Sequence, residues 1–127
     1  MILGIDLGQK TTGLAISQGQ LASPYKTIKH KNINQAISSI VQIIELEGID
    51  SVVIGFVEGK IKSFFEDFAK KLQKSKPDLK IILWDETLTS RQALDNMIKL
   101  QVPKMARAKK EHQFAASLIL QSYLDSQ

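Results

Sequence analysis

Three side chains in this sequence, Asp6, Glu86 and His112, have the chemistry to hold a hard divalent cation. Asp6 ends the apolar run Ile2-Leu3-Gly4-Ile5, and Glu86 follows Ile81-Ile82-Leu83-Trp84-Asp85. A charge at the end of a buried strand is costly unless it is paired or metal-bound. Taken singly, each residue has an ordinary explanation: an Asp capping the turn at Gly8, a solvated strand-end Glu, a partly buried hydrogen-bonding His. Taken together they suit phosphodiester cleavage by two Mg²⁺ or Mn²⁺ ions about 3.5–4 Å apart, which activate water and stabilise the leaving oxygen. Hard ions want carboxylate oxygens, so two acids are a minimum and a third ligand is expected. Asp85 and Glu86 point to opposite faces of an extended strand, so at most one of them can face a shared site. Gly8 would let the backbone come near a phosphate. Lys10, Lys60 and the basic group Lys104, Arg107, Lys109 and Lys110 could contact other phosphates, which positions a substrate without reading its sequence. For the last group a solvated surface loop is the plainer reading.

These residues need elements to position them. Residues 2–7 and 12–17 read as a β-hairpin about Gly8, and residues 25–29 as a third, edge strand. Asn32 or Asn34 can cap a helix that runs to about Gly48, with Ile33, Ile37, Ile40, Val41 and Ile44 at helical spacing. Residues 51–56 form a continuous apolar run of the kind that buried parallel strands show. A second helix carries Ile61, Phe64, Phe65, Phe68 and Leu72 on one face, has Lys70, Lys71, Lys74 and Lys76 on its wet side, and closes at Pro77. Residues 80–84 are another buried strand. Thr89 with Gln92 fits a capping box for a third helix carrying Ala93, Leu94, Met97 and Ile98. Residues 101–110 read as a loop, and a last helix runs from about Glu111 to Leu124. His112, Ala115, Ala116, Ile119 and Tyr123 share one face of it, and the two alanines let it approach a sheet closely. The order predicts one α/β domain over 1–127: a mixed five-stranded sheet, its first three strands antiparallel, flanked by helices. Sites in such sheets form beyond the carboxyl ends of the strands, where Asp6 and Glu86 fall.

Composition narrows the class. The 127 residues suit one domain and a modest core. The absence of cysteine removes disulfides, thiolate metal sites and Cys nucleophiles, and fits a reducing cytoplasm. The start, MILGIDLG, has no basic region and reaches an Asp at once, unlike a signal peptide, and no apolar run is long enough for a membrane span. A net charge of +4 is compatible with a polyanionic partner.

Four segments, in order, resemble the YqgF/RuvX family, relatives of the RuvC junction resolvase with an RNase H-like fold. Gly4-Ile5-Asp6-Leu7-Gly8-Gln9-Lys10-Thr11-Thr12-Gly13-Leu14-Ala15-Ile16-Ser17 looks like the family's first-strand motif. Val53-Ile54-Gly55-Phe56 with Gly59 looks like its V-G-L-P…G segment. Asp85-Glu86-Thr87-Leu88-Thr89-Ser90 looks like its D-E-R-L-T motif, and residues 114–124 look like its closing A-A-x-x-I-L-Q helix. The first motif alone is weak, whereas four in order at matching spacing are strong. The resemblance implies a cytoplasmic, divalent-metal-dependent nuclease that acts on structured nucleic acid. The family is associated with maturing the 5′ end of pre-16S ribosomal RNA and with junction resolution. It maps two of the family's acids onto Asp6 and Glu86 and the third onto His112, where the family usually has Asp. Thr11 and Thr87 stand where arginines are usual, and Val57 where proline is usual. Some RuvC-type nucleases use a His in the third region, so metal binding can survive the change, with Mn²⁺ favoured.

Two other classes fit part of the pattern. Asp6-Leu7-Gly8-Gln9-Lys10-Thr11-Thr12 also resembles the first phosphate motif of actin/Hsp70-like ATPases, but those bind ATP between two such domains and this chain supplies one. The His at the third-acid position fits a nucleic-acid- or ribosome-associated module that has lost the chemistry. An exposed third strand is also where a second copy could pair to form a homodimer.

Overall fold

The computed structural model describes residues 1–56, 62–85 and 104–127, with 104–110 given as backbone only. Its strands are β1 (Ile2–Asp6), β2 (Thr11–Ser17), β3 (Ala22–Lys29), β4 (Ser51–Phe56) and β5 (Lys80–Asp85). Its helices are α1 (Ile33–Glu47), α2 (Lys62–Ser75) and α3 (Lys104–Asp125). The strands form one sheet in the order β3-β2-β1-β4-β5. The pairs β1–β2 and β2–β3 are antiparallel, whereas β1–β4 and β4–β5 are parallel. This is the mixed sheet that the order of elements predicts. The α1 and α2 crossovers return the chain to the same end of the sheet before each parallel strand.

Local chemistry sets the helix ends. The Asn32 side chain accepts from the backbone N–H of Gln35 at 2.9 Å, so Asn32, not Asn34, is the cap of α1. Gly48 ends that helix in the left-handed conformation. Two expected boundaries change. The segment expected as a loop over 101–110 is helical from Lys104, so α3 starts about two turns earlier. Lys104-Met105-Ala106-Arg107-Ala108-Lys109-Lys110 are nearly all strong helix formers. Charge and the preceding Pro103 suggest a loop, but proline is common at a helix start. The third strand begins at Ala22 rather than at residue 25. Pro24 is accommodated because β3 is an edge strand, with a register shift between Leu14 and Ala15 that leaves Tyr25 bulged. The expected third helix over 89–98, together with Ile61 and Lys60, lies outside the described residues.

Alternation along the strands builds two cores. Leu3, Ile5, Leu14, Val52 and Ile54 face α1 and α2, against Ile37, Ile40, Ile44, Phe65, Phe68 and Leu72. Ala15 and Val53 face α3, against Ala116, Ile119 and Leu120. On the α3 side the backbones come very close. A β-carbon added at Gly4 would sit 2.8 Å from Leu120 Cβ and 2.9 Å from the Ala116 carbonyl oxygen. Polar anchors fix the remaining freedom of the helix. The Gln121 side chain accepts from Ala22 N–H at 2.8 Å and donates to the Gln20 carbonyl at 3.1 Å. Trp84 Nε1 donates to Ser122 Oγ at 3.2 Å, and the Trp84 ring meets Tyr123 edge-on at 5.6 Å. No helix among the described residues is long and apolar enough to cross a membrane.

A buried imidazole lies on the other face of the sheet, at the same end as Asp6. His30 Nε2 lies 2.8 Å from Thr12 Oγ1, and the His30 N–H donates to the Lys10 carbonyl at 2.9 Å. His30 Nδ1 is buried, with no partner at hydrogen-bonding geometry among the described residues. Burial lowers the His30 pKa below its usual value, and the neighbouring backbone of Asn32 offsets part of this. The unfolded chain therefore takes up the proton first as pH falls below about 6.5. The stability that neutral His30 contributes is complete above that pH and is lost as pH falls through its folded value. The denaturant midpoint should fall between pH 7 and lower pH, and His30→Gln should flatten that part of the curve. An unchanged slope in the variant would remove His30 as the cause.

Candidate metal and nucleic-acid site

Asp6 is the last residue of β1, the central strand, and is 7% exposed. It shares the face of β1 that carries Gly4, so its carboxylate points toward α3. There His112 Nδ1 lies 3.1 Å from Asp6 Oδ2, across 106 positions of sequence. A carboxylate only accepts, so the imidazole Nδ1–H is the donor in this bond. In the neutral ring the lone pair is then on Nε2, the arrangement in which a histidine ligand is oriented by a carboxylate.

The contact depends on a glycine. In the sheet register Asp6 pairs with Gly13, and Gly13 pairs with Thr27. A β-carbon at Gly13 would run into the His112 carbonyl and the Gln113 backbone. The absence of a side chain therefore lets α3 lie directly on β2, one strand away from Asp6. The next residue of α3 continues the row: Thr27 Oγ1 donates to Gln113 Oε1 at 3.1 Å. Two successive helix residues are thus tied to one register row, His112 to Asp6 and Gln113 to Thr27.

The other expected site residues divide. Gly8 lies in the β1–β2 turn, where a β-carbon would strike the Thr11 carbonyl oxygen, so turn closure accounts for it. Lys10 is exposed in the same turn. Lys104, Arg107, Lys109 and Lys110 belong to the opening turns of α3 rather than to a loop. Glu86 and Lys60 lie outside the described residues. Among the described residues no three metal-ligating side chains cluster, so the pair that converges is Asp6 with His112. Ile82 and Trp84 of β5 face α3, as Asp6 does, and Asp85 has the opposite parity. Asp85 therefore lies on the face of the sheet opposite to that of Asp6.

Three further residues bear on the site: Gly13, which the sequence marks only as part of a motif, and Thr27 and Gln113. Gly13 had a signal: a glycine inside a strand pattern often marks close approach of another backbone. Nothing in the types of Thr27 and Gln113 marks them out.

The donor set fits a divalent cation. A hard carboxylate oxygen and an imidazole nitrogen suit Mn²⁺ and are compatible with Mg²⁺. The bond itself occupies Nδ1–H and Oδ2, so the atoms left to bind a cation are Asp6 Oδ1 and His112 Nε2.

Comparison with known proteins matches the same span. The family model described as "RuvX: Holliday junction resolvase" matches residues 1–126. A protein of Staphylococcus saprophyticus described as "Putative pre-16S rRNA nuclease" is 35% identical over 98% of this chain and 95% of its own length. A Clostridium tetani protein of the same description is 36% identical over 98% and 96%. Among solved structures, the fowlpox virus Holliday junction resolvase superposes with a TM-score of 0.64 at 17% identity, covering 99% of both chains. T. thermophilus RuvC in complex with a Holliday junction substrate gives 0.58 at 14% identity, over 98% of this chain and 94% of that one. At such identities these likenesses establish the fold, that of RuvC-like resolvases.

Proposed function

This chain belongs to the RuvX family, and from that premise we propose that it is a nuclease that cuts the backbone of structured nucleic acid, trimming the 5′ end of pre-16S ribosomal RNA. The observation that most supports the reading is the buried Asp6 carboxylate at the carboxyl end of the central strand, held 3.1 Å from the His112 imidazole. In this reading Asp6, His112 and Glu86 hold one or two divalent ions. When bound, such ions lower the pKa of water and neutralise charge on the leaving oxygen.

The chain's own residues supply position. Asp6 accepts the His112 Nδ1–H and so fixes the rotation of the ring. The Gly13 contact fixes the height of the helix backbone above the sheet. Lys10, Lys60 and the cationic opening of α3 (Lys104, Arg107, Lys109, Lys110) neutralise flanking phosphates, an interaction that positions without specifying sequence. The domain acts as one unit over 1–127. A cytoplasmic location follows from the substrate, and the outer edge of β3, which pairs with no strand among the described residues, is where a second copy would add.

Incubating the protein with a 5′-extended 16S precursor RNA and with a four-way DNA junction, in Mn²⁺ and in Mg²⁺, tests the reading. Cleavage of the RNA at its 5′ extension is expected. Cleavage of the junction alone would transfer the assignment to DNA, and cleavage of neither would end the nuclease reading. The ligand at position 112 gives a finer prediction. His112→Asp should lower the ratio of the Mn²⁺ rate to the Mg²⁺ rate, because a third carboxylate suits the harder ion. A ratio equal to that of the wild type would place His112 outside the metal's reach.

A further inference from the structure

One strip of charge begins at Lys10 of the site described above and continues beyond it. From Leu7 to Ile44 the chain has no Asp or Glu and carries four lysines, Lys10, Lys26, Lys29 and Lys31. All four are exposed. Among the described residues none of them has an acidic partner within 4.0 Å. Two of them, Lys26 and Lys29, are on the edge strand β3, and the register separates these two by face. Thr27 reaches Gln113 on the α3 side, whereas Ile28 belongs to the core on the opposite side. By strand alternation Lys29 shares the face of Thr27, and Lys26 shares that of Ile28.

Lys29 is therefore on the face of the sheet toward which Asp6 points. It pairs with Thr11, two positions beyond the Asp6–Gly13–Thr27 row, at the end of the sheet that carries the site. Two interstrand steps and a two-residue step along the strand place its Cα roughly 12 Å from that of Asp6. One strand of a duplex presents a phosphate about every 3.4 Å along the axis, so this span corresponds to at least about three nucleotides. Lys31 follows two residues later, beyond the His30 N–H bond to Lys10.

We propose that Lys29, with Lys31 beside it, is a substrate-positioning residue that holds a backbone phosphate a few nucleotides from the one cut at Asp6. The inference rests on the nuclease reading for the identity of the scissile phosphate. Because α3 lies on β2 between Asp6 and Lys29, the bound strand would reach Lys29 past the end of the sheet, on the side away from β5. Lysine on an edge strand also discourages pairing with another strand, but that role falls on Lys26 and Lys29 alike. A phosphate-binding role falls on Lys29, on the face of the site.

The contrast between the two lysines is the test. Full-length wild type, Lys29→Gln and Lys26→Gln are titrated onto a labelled RNA stem-loop with a single-stranded 5′ tail, in EDTA, over a salt series. Lys29→Gln should weaken binding about five- to tenfold near 0.1 M salt and reduce the slope of log K against log salt by about 0.7–0.9. Lys26→Gln should change affinity less than about twofold, with sedimentation showing the same oligomeric state for all three. Equal losses in the two variants, or no loss in either, overturn the inference. The same preparations are assayed for cleavage in Mn²⁺. If wild type cuts and Lys29→Gln binds and cuts equally well, the inference falls and the nuclease reading stands. If wild type binds without cutting, the nuclease reading falls and the Lys29/Lys26 contrast still decides the binding surface. If wild type does not bind, both fall.

Discussion

Cleavage by an Asp6→Asn variant should fall by at least about a hundredfold, because loss of even an outer partner of a metal ligand costs about 10–100-fold. Its thermal midpoint should stay close to that of the wild type. The two expectations follow from one geometry. Asp6 is 7% exposed at the end of β1 and bonded to His112 Nδ1 at 3.1 Å. Asparagine has the same shape, and its amide oxygen can accept the same N–H. The packing and the hydrogen bond survive, whereas the negative charge that a hard cation requires does not. The measurement is single-turnover cleavage of the 5′-extended RNA beside a melting curve on the same sample. Cleavage at the wild-type rate would remove Asp6 from the chemistry. A large drop in melting temperature would make Asp6 a structural residue instead.

The second large effect concerns a residue with no functional group. Gly→Ala within a strand ordinarily stabilises by about 0.4–1 kcal/mol where the backbone tolerates it, because the unfolded chain loses freedom. At Gly13 the sign should reverse. The added methyl would run into the His112 carbonyl and the Gln113 backbone, atoms that cannot rotate away. Overpacking of this kind costs about 1–3 kcal/mol, which outweighs the entropic gain. The helix must lift, and lifting it carries the His112 ring off Asp6. Gly13→Ala should therefore lose both stability, seen as a lower denaturant midpoint, and cleavage. Gly4→Ala, with contacts of 2.8 and 2.9 Å to Leu120 and Ala116, should cost stability at the other end of the same contact. A Gly13→Ala protein as stable and active as wild type would show that the close approach of α3 does not position His112.

Much of this architecture was legible because burial leaves strong marks on sequence. Strands β1 and β4 are continuous apolar runs, as central parallel strands must be. The 3.6-residue repeat of isoleucines in α1 and of phenylalanines in α2 named the inner faces of those helices, and Phe65, Phe68 and Leu72 are buried as that repeat requires. The carboxyl-end rule then placed Asp6, and Ala115 and Ala116 announced a helix close to the sheet. What was hidden had physical causes. The opening of α3 is as basic as a surface loop, so charge masked good helix propensity at Lys104–Lys110. The third strand was legible as an edge but not its start at Ala22, because a bulge at Tyr25 breaks the alternation that marks the strand. Gly13 read as one member of a motif, although its role depends on a helix 99 positions later in the chain. A pairing such as Thr27 with Gln113 involves two polar side chains of no special type and emerges only from the register.

A divalent-metal centre at Asp6 and His112 can be tested directly, because the protein has few histidines. There are two histidines, His30 and His112. One is buried against Thr12 on the α1 side of the sheet, and the other is bonded to Asp6 on the α3 side. Titrating Mn²⁺ into the full-length protein while following the two imidazoles by NMR separates them, because paramagnetic broadening falls steeply with distance. The His112 ring signals should broaden at low Mn²⁺ while those of His30 remain sharp, and Asp6→Asn should shift this response to much higher Mn²⁺. A His112 ring that stays as sharp as that of His30 throughout the titration would contradict a metal centre there.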